Sequence, residues 1–176
     1  LKDDIELNAP VQEITDGKDA IETFYGFGTN KALSSRAVIV AIPPALRQKI
    51  TFTPGLNGEY RQFLQRSPMG SKFKVLAVYA EAFWREEGYC GLGRGNLQIL
   101  EETADSGPVE SNPGVMVSFV AGNKAAALNR LPDIEQRRLI LEDLVRFLGP
   151  KAAEPLDLVV QGWIDEQWTT GGYTAF

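Results

Sequence analysis

A lysine beside an apolar stretch is the residue best suited to chemistry in this sequence. Lys74 immediately precedes the apolar run of residues 75–79, which predicts a buried β-strand. An ammonium group on such a strand needs an anion, a water molecule or a ligand, because an unpaired buried charge is costly. A strand-end lysine that reaches solvent is the alternative, and the strand pattern alone favours it. Lys72, nearer the preceding turn, fits this alternative better.

Histidine is absent from all 176 residues. Its absence excludes Ser-His-Asp and Cys-His catalysis, most zinc sites and histidine-ligated haem. Redox or acid–base chemistry would therefore depend on a cofactor, a lysine, a tyrosine or a carboxylate.

Charge and hydropathy argue against two classes of partner. The formal net charge is -5 and no block of lysine and arginine occurs, which argues against a nucleic-acid surface. No apolar run reaches the roughly eighteen residues that a membrane span needs. Cys90 is the only cysteine and cannot form an internal disulfide, so we expect a reducing compartment, the cytoplasm.

The order of predicted elements indicates an α+β fold with a mixed, mainly antiparallel sheet flanked by helices. The strand that follows Lys74 becomes apolar on both faces, so we expect it to be covered on both sides. The apolar run of residues 37–42 predicts a second strand buried on both faces. The longest helix is predicted between Pro132-Asp133 and Gly149. The alternating Gly91, Gly93 and Gly95 predict a turn or bulge, because no helix-forming run follows them as a phosphate loop requires.

Taken together, four segments resemble the flavin-containing amine oxidases, the monoamine and polyamine oxidase family. They are Ala-Ile-Pro-Pro-Ala-Leu-Arg-Gln-Lys-Ile-Thr-Phe-Thr-Pro (41–54), Pro-Met-Gly-Ser-Lys-Phe-Lys (68–74), Glu-Ala-Phe-Trp-Arg (81–85), and residues 163–173 with Trp-x-x-Glu-Gln and Gly-Gly-Tyr. The resemblance covers nearly the whole chain and is weakest at residues 92–112. It implies an FAD-dependent enzyme that oxidises an amine to an imine and aldehyde while oxygen is reduced to hydrogen peroxide.

The resemblance also implies a division of the chain. Residues 1–50 would form strands and a strip adjoining the FAD-binding domain, and residues 51–162 would form the substrate-binding domain. Residues 163–176 would begin a returning segment that contacts FAD. The glycine-rich unit that holds most of the FAD in this family is not found. We therefore expect a central fragment that is inactive and does not retain FAD by itself.

Site residues follow from the same resemblance. Lys74 matches the lysine that reaches a water near flavin N5, and it is the catalytic candidate. Tyr173 matches one of two aromatic residues that enclose the substrate amine, and Phe119 would line the same cavity. Glu101 and Glu102 lie in the weakly matched stretch; a carboxylate there would suit the distal ammonium of a diamine, although a solvated charge pair is favoured.

Five residues match positions that contact the cofactor. They are Val11, Ala41, Pro43, Trp163 and Gly172. Animal monoamine oxidases carry a flavin-linked cysteine at the position of Gly172, and glycine has no side-chain atom to form that bond. The resemblance therefore implies FAD held noncovalently.

Three functions stay open at this point. The first is an amine oxidase acting on a small amine and oxygen. The second keeps the fold but changes the substrate, as in an amino-acid oxidase or a desaturase-type flavoprotein. The third is a noncatalytic binding or oligomerisation domain, and a homo-oligomer is compatible with each.

Overall fold

The computed structural model describes residues 4–28, 31–109 and 112–173. The chain divides into two compact units, one ending at Met69 and the other beginning at Gly70. No helix in the described ranges is both long and apolar enough to cross a membrane.

The first unit contains a four-stranded sheet in the order β3-β2-β1-β4. Its strands are β1 (Val11–Asp16), β2 (Ile21–Tyr25), β3 (Lys31–Ser35) and β4 (Thr51–Thr53). The turn signal Asp16-Gly17 correctly predicts the β1–β2 hairpin, in which the Gly17 N–H donates to the Ala20 carbonyl at 3.0 Å. β4 pairs in parallel with β1, and the other pairs are antiparallel.

Two helices of this unit are joined by an arginine. They are α1 (Pro44–Arg47) and α2 (Gly58–Gln65). The Asn57 side chain caps α2 by accepting from the Tyr60 N–H at 2.8 Å. Arg47 donates to the Ile42 carbonyl at 3.0 Å and also to the Tyr60 hydroxyl. The α1–α2 connection is thus held by a side chain as well as by packing.

The predicted strand at residues 37–42 is wrong. β3 ends at Ser35, residues 37–42 have no strand structure, and Ile39 is 91% exposed. A strand needs a neighbour to pair its backbone N–H and C=O groups. None of the described strands pairs with this segment, and an apolar run carries no information about whether a partner is present.

The second unit is a five-stranded antiparallel sheet in the order β6-β7-β8-β5-β9. Its strands are β5 (Lys72–Tyr79), β6 (Gly93–Arg94), β7 (Glu102–Asp105), β8 (Gly114–Ala121) and β9 (Asp157–Gly162). Its helices are α3 (Phe83–Glu86), α4 (Gly122–Leu128), α5 (Asp133–Leu148) and the 3-10 helix Pro150–Ala153. The predicted α+β fold with mainly antiparallel pairing is confirmed.

One face of this sheet carries the core, and the other is half-exposed. On β5 the buried side chains are Phe73, Val75, Ala77 and Tyr79, which belong to a cluster that includes Ile140 and Leu144 of α5. The alternate residues Lys72, Lys74, Leu76 and Val78 are half-exposed. We call the side that they occupy the open face. The expectation that β5 is covered on both sides is therefore wrong, because an apolar residue on a strand does not by itself guarantee a packing partner.

Gly91 and Gly93 are explained by packing. Gly91 has φ +74°, and a Cβ there would lie 2.9 Å from the Asp105 Cβ. A Cβ on Gly93 would lie 3.1 Å from the Phe147 ring. Side chains at these positions would collide with the core, which agrees with a structural turn rather than a phosphate loop.

Asp105 is the centre of a charged network beside the core. It accepts from the Trp84 Nε1 at 2.8 Å, from the Gly107 N–H at 3.0 Å, and from Arg85 at 2.5 and 2.7 Å. The Arg85 guanidinium is the main cause that lowers the pKa of Asp105 from 3.8 to about 2. The ionised carboxylate is thereby tied to α3 and to the loop after β7.

Asp105→Asn should weaken the acid dependence of stability. The folded-state pKa is depressed, so the ionised form contributes stability above about pH 4 that is lost as the pH falls towards about 2. We expect the variant to lose about 1–3 kcal/mol at neutral pH and to show a flatter stability profile between pH 4 and 2. The measurement is the free energy of unfolding in urea at neutral pH and at several pH values between 4 and 2.

Glu154→Gln, at an exposed position, is the control for the lost charge. A profile for Asp105→Asn that matches wild type between pH 4 and 2 would contradict the role given to Asp105.

Candidate active site

Strand register places five side chains in one row across the open face. Lys74 pairs with Phe119 of β8 on one side and with Gln161 of β9 on the other. Phe119 in turn pairs with Glu102 of β7, and Glu102 pairs with Arg94 of β6. Directly paired residues have Cβ atoms about 4.5–5.5 Å apart, so each side chain can contact the next. The row brings an aromatic ring between an ammonium and a carboxylate.

Tyr173 extends this row. Its ring lies edge-to-face with Phe119, with centroids 6.2 Å apart and an angle of 81° between the ring planes. Tyr173 is 59% exposed, so much of its ring is accessible. Partial burial, and then the negative charge of Glu102, raise the pKa of the Tyr173 hydroxyl. Glu102 therefore lies within electrostatic range of Tyr173.

Lys72 lies beside both of these rings, a contact that the sequence interpretation missed. Its Nζ lies 5.0 Å from the centroid of the Phe119 ring and 5.7 Å from that of the Tyr173 ring. These distances are within the range of cation–π attraction. The signal that could have found it is the strand period of two, which places Lys72 and Lys74 on the same face.

The Lys74 ammonium has no hydrogen-bond or ion-pair partner in the described part of the chain, and the residue is half-buried. A half-buried charge without an anion creates a positive potential on the open face. That arrangement suits a group that becomes negatively charged during a reaction. The structure thus leaves Lys74 available for the role that the sequence comparison suggested.

Trp163 and Gly172 lie together at the start of β5. The Trp163 N–H donates to the Lys72 carbonyl at 3.0 Å, and the Gly172 N–H donates to the Gly70 carbonyl at 2.8 Å. A Cβ on Gly172 would be 3.6 Å from the Trp163 Cβ and 4.0 Å from the Lys72 Cβ. The Trp163 Nε1 is buried without a hydrogen-bond partner among the described atoms. An orphaned buried donor of this kind suits a polar group on a ligand.

The other three predicted cofactor contacts belong to the first unit. Val11 begins β1 and is exposed, Ala41 is exposed in the irregular segment before α1, and Pro43 is the residue immediately before that helix. All three would act through backbone or packing contacts, for which residue type gives little information. Their role stays a prediction.

Metal chemistry has no obvious site in the described ranges. No group of three or more cysteine, aspartate or glutamate side chains there is arranged to hold an ion. In the described ranges, the charged and aromatic groups of the open face are two ammonium groups, the Arg94 guanidinium, two aromatic rings, and the carboxylates of Glu102 and Asp157.

Comparison with known proteins decides the family. The family described as flavin containing amine oxidoreductase matches this chain over residues 1–176. The chain belongs to that family. The resemblance inferred from the sequence is therefore confirmed, and membership of this family implies a flavin cofactor.

Two relatives and one solved structure illustrate the range of similar proteins. The L-amino acid dehydrogenase of Synechocystis sp. is 35% identical over 176 residues, covering 100% of this chain and 37% of the relative. The putrescine oxidase of Kocuria rosea is 38% identical over 141 residues, covering 80% of this chain and 30% of the relative. A putrescine oxidase structure with bound putrescine superposes with a TM-score of 0.91 and 36% identity, covering 99% of this chain and 38% of that one. The matched part of the chain thus spans 30–38% of the length of these proteins.

The second unit of this chain fits a flavin on three observations. The Trp163 Nε1 is an unpaired buried donor, and the adjacent Gly172 presents backbone without a side chain. Lys72 and Lys74 place positive charge on the neighbouring strand. This donor set suits a planar, polar ring that gains negative charge on reduction.

Proposed function

We propose that the protein to which this chain belongs is an FAD-dependent amine oxidase. It would oxidise a small amine to an imine, which water hydrolyses to an aldehyde, while oxygen takes up two electrons and two protons to give hydrogen peroxide. The observation that carries the proposal is the open-face row of Lys74 and Phe119 with Tyr173 beside it, in a chain of the flavin-containing amine oxidoreductase family.

The two aromatic rings would form walls for the substrate. The ring faces of Phe119 and Tyr173 attract a cation on approach and pack against an alkyl chain once the amine is neutral. Their nearly perpendicular arrangement leaves part of each face accessible. Residues 51–162 would supply most of the substrate cavity.

Lys74 would act as the electrostatic partner of the reaction. Bound FAD supplies the two-electron acceptor that the polypeptide lacks. The Lys74 ammonium, unpaired in the described ranges, would stabilise negative charge that develops beside it and hold a water molecule there. Its work is positioning and charge stabilisation rather than covalent catalysis.

FAD would be held noncovalently. The residues proposed to contact it are Val11, Ala41, Pro43, Trp163 and Gly172. Gly172 carries no side-chain atom that could bond to a flavin. We expect trichloroacetic acid precipitation of the holoprotein to leave all yellow colour in the supernatant. Flavin that stays with the precipitate would contradict noncovalent binding.

Two variants of the substrate class have specific support. The 35% identical relative named L-amino acid dehydrogenase favours a substrate with a carboxylate. The position of Glu102 near Tyr173 favours a substrate with a second ammonium, such as a diamine. Both keep oxidation of a carbon–nitrogen bond as the reaction. A cytoplasmic location is proposed on the single cysteine alone.

The test uses the protein expressed from its complete coding sequence. Its visible spectrum is recorded, amines are added without oxygen, and air is then admitted. Bleaching by an amine followed by recovery of the yellow colour with release of peroxide would establish the oxidase. Bleaching without recovery in air would indicate a dehydrogenase, and a colourless protein that FAD does not reconstitute would contradict the proposal.

A further inference from the structure

Lys72 occupies the aromatic site that the proposed function assigns to a cationic amine. Its ammonium lies over Phe119 at 5.0 Å and over Tyr173 at 5.7 Å, as measured to the ring centroids. A second cation entering the same space would meet like-charge repulsion as well as the attractive rings. The Lys72 ammonium thus already occupies the cation position beside the rings of Phe119 and Tyr173.

The hydrogen-bonding capacity of the Lys72 ammonium is unused among the described residues. A lysine ammonium has three N–H donors, and contact with ring faces occupies none of them fully. In the described part of the chain Lys72 makes neither a hydrogen bond to a side-chain acceptor nor an ion pair, and the same holds for Lys74. Two residues along a strand separate side chains on one face by about 7 Å. Two half-buried ammonium groups therefore face the same small region.

The acidic residues of the open face do not neutralise this pair. Glu102 stands across Phe119 from Lys74, and Asp157 pairs with Val78 at the far end of β5. Neither forms an ion pair with Lys72 or Lys74. Glu102 lies within electrostatic range of Tyr173, but no described carboxylate is ion-paired with either of the two ammonium groups.

We infer that Lys72 binds the carboxylate of the substrate, so that the preferred substrates are amines bearing a carboxylate on the reacting carbon, namely amino acids. The inference rests on the proposed function and names its substrate class. A carboxylate beside the Lys72 ammonium, on the side away from the ring faces, would accept charge-assisted hydrogen bonds, and its neutral amine would lie towards Lys74. Lys72 is then a substrate-binding residue that selects by charge.

The test compares each amino acid with the amine that remains when its carboxylate is removed. Suitable pairs are L-phenylalanine with 2-phenylethylamine and L-leucine with 3-methylbutylamine. With the FAD-loaded full-length protein, kcat/KM is expected to favour the amino acid of each pair. Lys72→Met should lower kcat/KM for the amino acids by about tenfold to a hundredfold and raise it for the amines, whereas Lys72→Arg should keep the wild-type preference.

Lys151→Met is the matched control. Lys151 also lies over an aromatic ring, 5.7 Å from the centroid of Phe83, but it pairs with Glu87 away from the open face. Its substitution removes the same charge and should leave the preference unchanged.

A binding measurement separates this inference from the proposed reaction. Titration calorimetry with 3-phenylpropanoate, which has the carboxylate but no amine, should show binding that Lys72→Met weakens at least tenfold and Lys151→Met does not. Equal binding by wild type and Lys72→Met, or equal loss of kcat/KM for both members of each pair, would overturn the inference alone. Flavin that neither amines nor amino acids reduce would overturn the proposed function and the inference with it.

Discussion

Lys74→Met is expected to slow the recovery of flavin absorbance in oxygen by roughly a hundredfold. The ammonium of Lys74 has no anion partner in the described ranges and lies on the open face beside Phe119. Oxygen becomes negatively charged as it accepts electrons, and a fixed cation nearby stabilises that charge without needing to reorganise. Methionine keeps a similar length and packing but has no charge, so it tests the charge itself.

Stopped-flow absorbance resolves the two half-reactions of this variant. Reduction by substrate is followed without oxygen, and reoxidation is followed after mixing the reduced protein with air-saturated buffer. Lys151→Met serves again as the charge control. Wild-type rates in both half-reactions would remove Lys74 from the mechanism.

Asp143→Ala should destabilise the second unit by about 3–5 kcal/mol. Asp143 of α5 is completely buried and accepts from the backbone N–H groups of Ile99 at 2.6 Å, Leu100 at 2.9 Å and Gln98 at 3.3 Å. Arg146 donates to it at 2.8 Å. Alanine would leave the buried N–H groups of Ile99 and Leu100 without an acceptor, and the loop before β7 would lose its attachment to α5.

Hydrogen exchange and urea unfolding measure the two parts of this effect. The amides of Ile99 and Leu100 should exchange much faster in the variant, and the midpoint of unfolding should fall. Asp143→Asn, which keeps one acceptor oxygen, should lose less. Glu142→Ala is the neighbouring control: it removes a half-exposed ion pair with Arg138 and should cost less than about 1 kcal/mol. If Asp143→Ala costs no more stability than Glu142→Ala, the result would contradict the proposed role of Asp143 as an anchor for this loop.

The elements that sequence predicted well have strong local signals. α5 begins after Pro132 and ends at Gly149 as its caps indicate, and the β1–β2 hairpin follows from Asp16-Gly17. The prediction of a strand at residues 37–42 was wrong because a strand needs a pairing partner, which an apolar run does not specify. The prediction that β5 is covered on both sides was wrong for a similar reason. Alternation along a strand shows which residues share a face but not what covers that face.

The site was predictable only where its residues matched a family pattern. Phe119 and Tyr173 came from that resemblance, and the structure places their rings in contact. Lys72 was missed because its contact with Tyr173 joins residues about a hundred positions apart in the sequence. The unpaired Trp163 Nε1 could not be predicted either, because a sequence does not show whether a side-chain donor is buried or has a hydrogen-bond partner.

The attachment made by Asp143 has a consequence for changing what the protein accepts. The Asp143 carboxylate accepts hydrogen bonds from the main-chain N–H groups of Ile99 and Leu100, just before Glu102. Nineteen of the twenty amino acids have such an N–H group. The Glu101 N–H also donates to the Phe119 carbonyl at 3.0 Å. The backbone at position 102 is thus held without help from its own side chain. A saturation library at position 102 would therefore change substrate selectivity while the backbone conformation is kept. Substitutions at this position can alter selectivity without affecting folding.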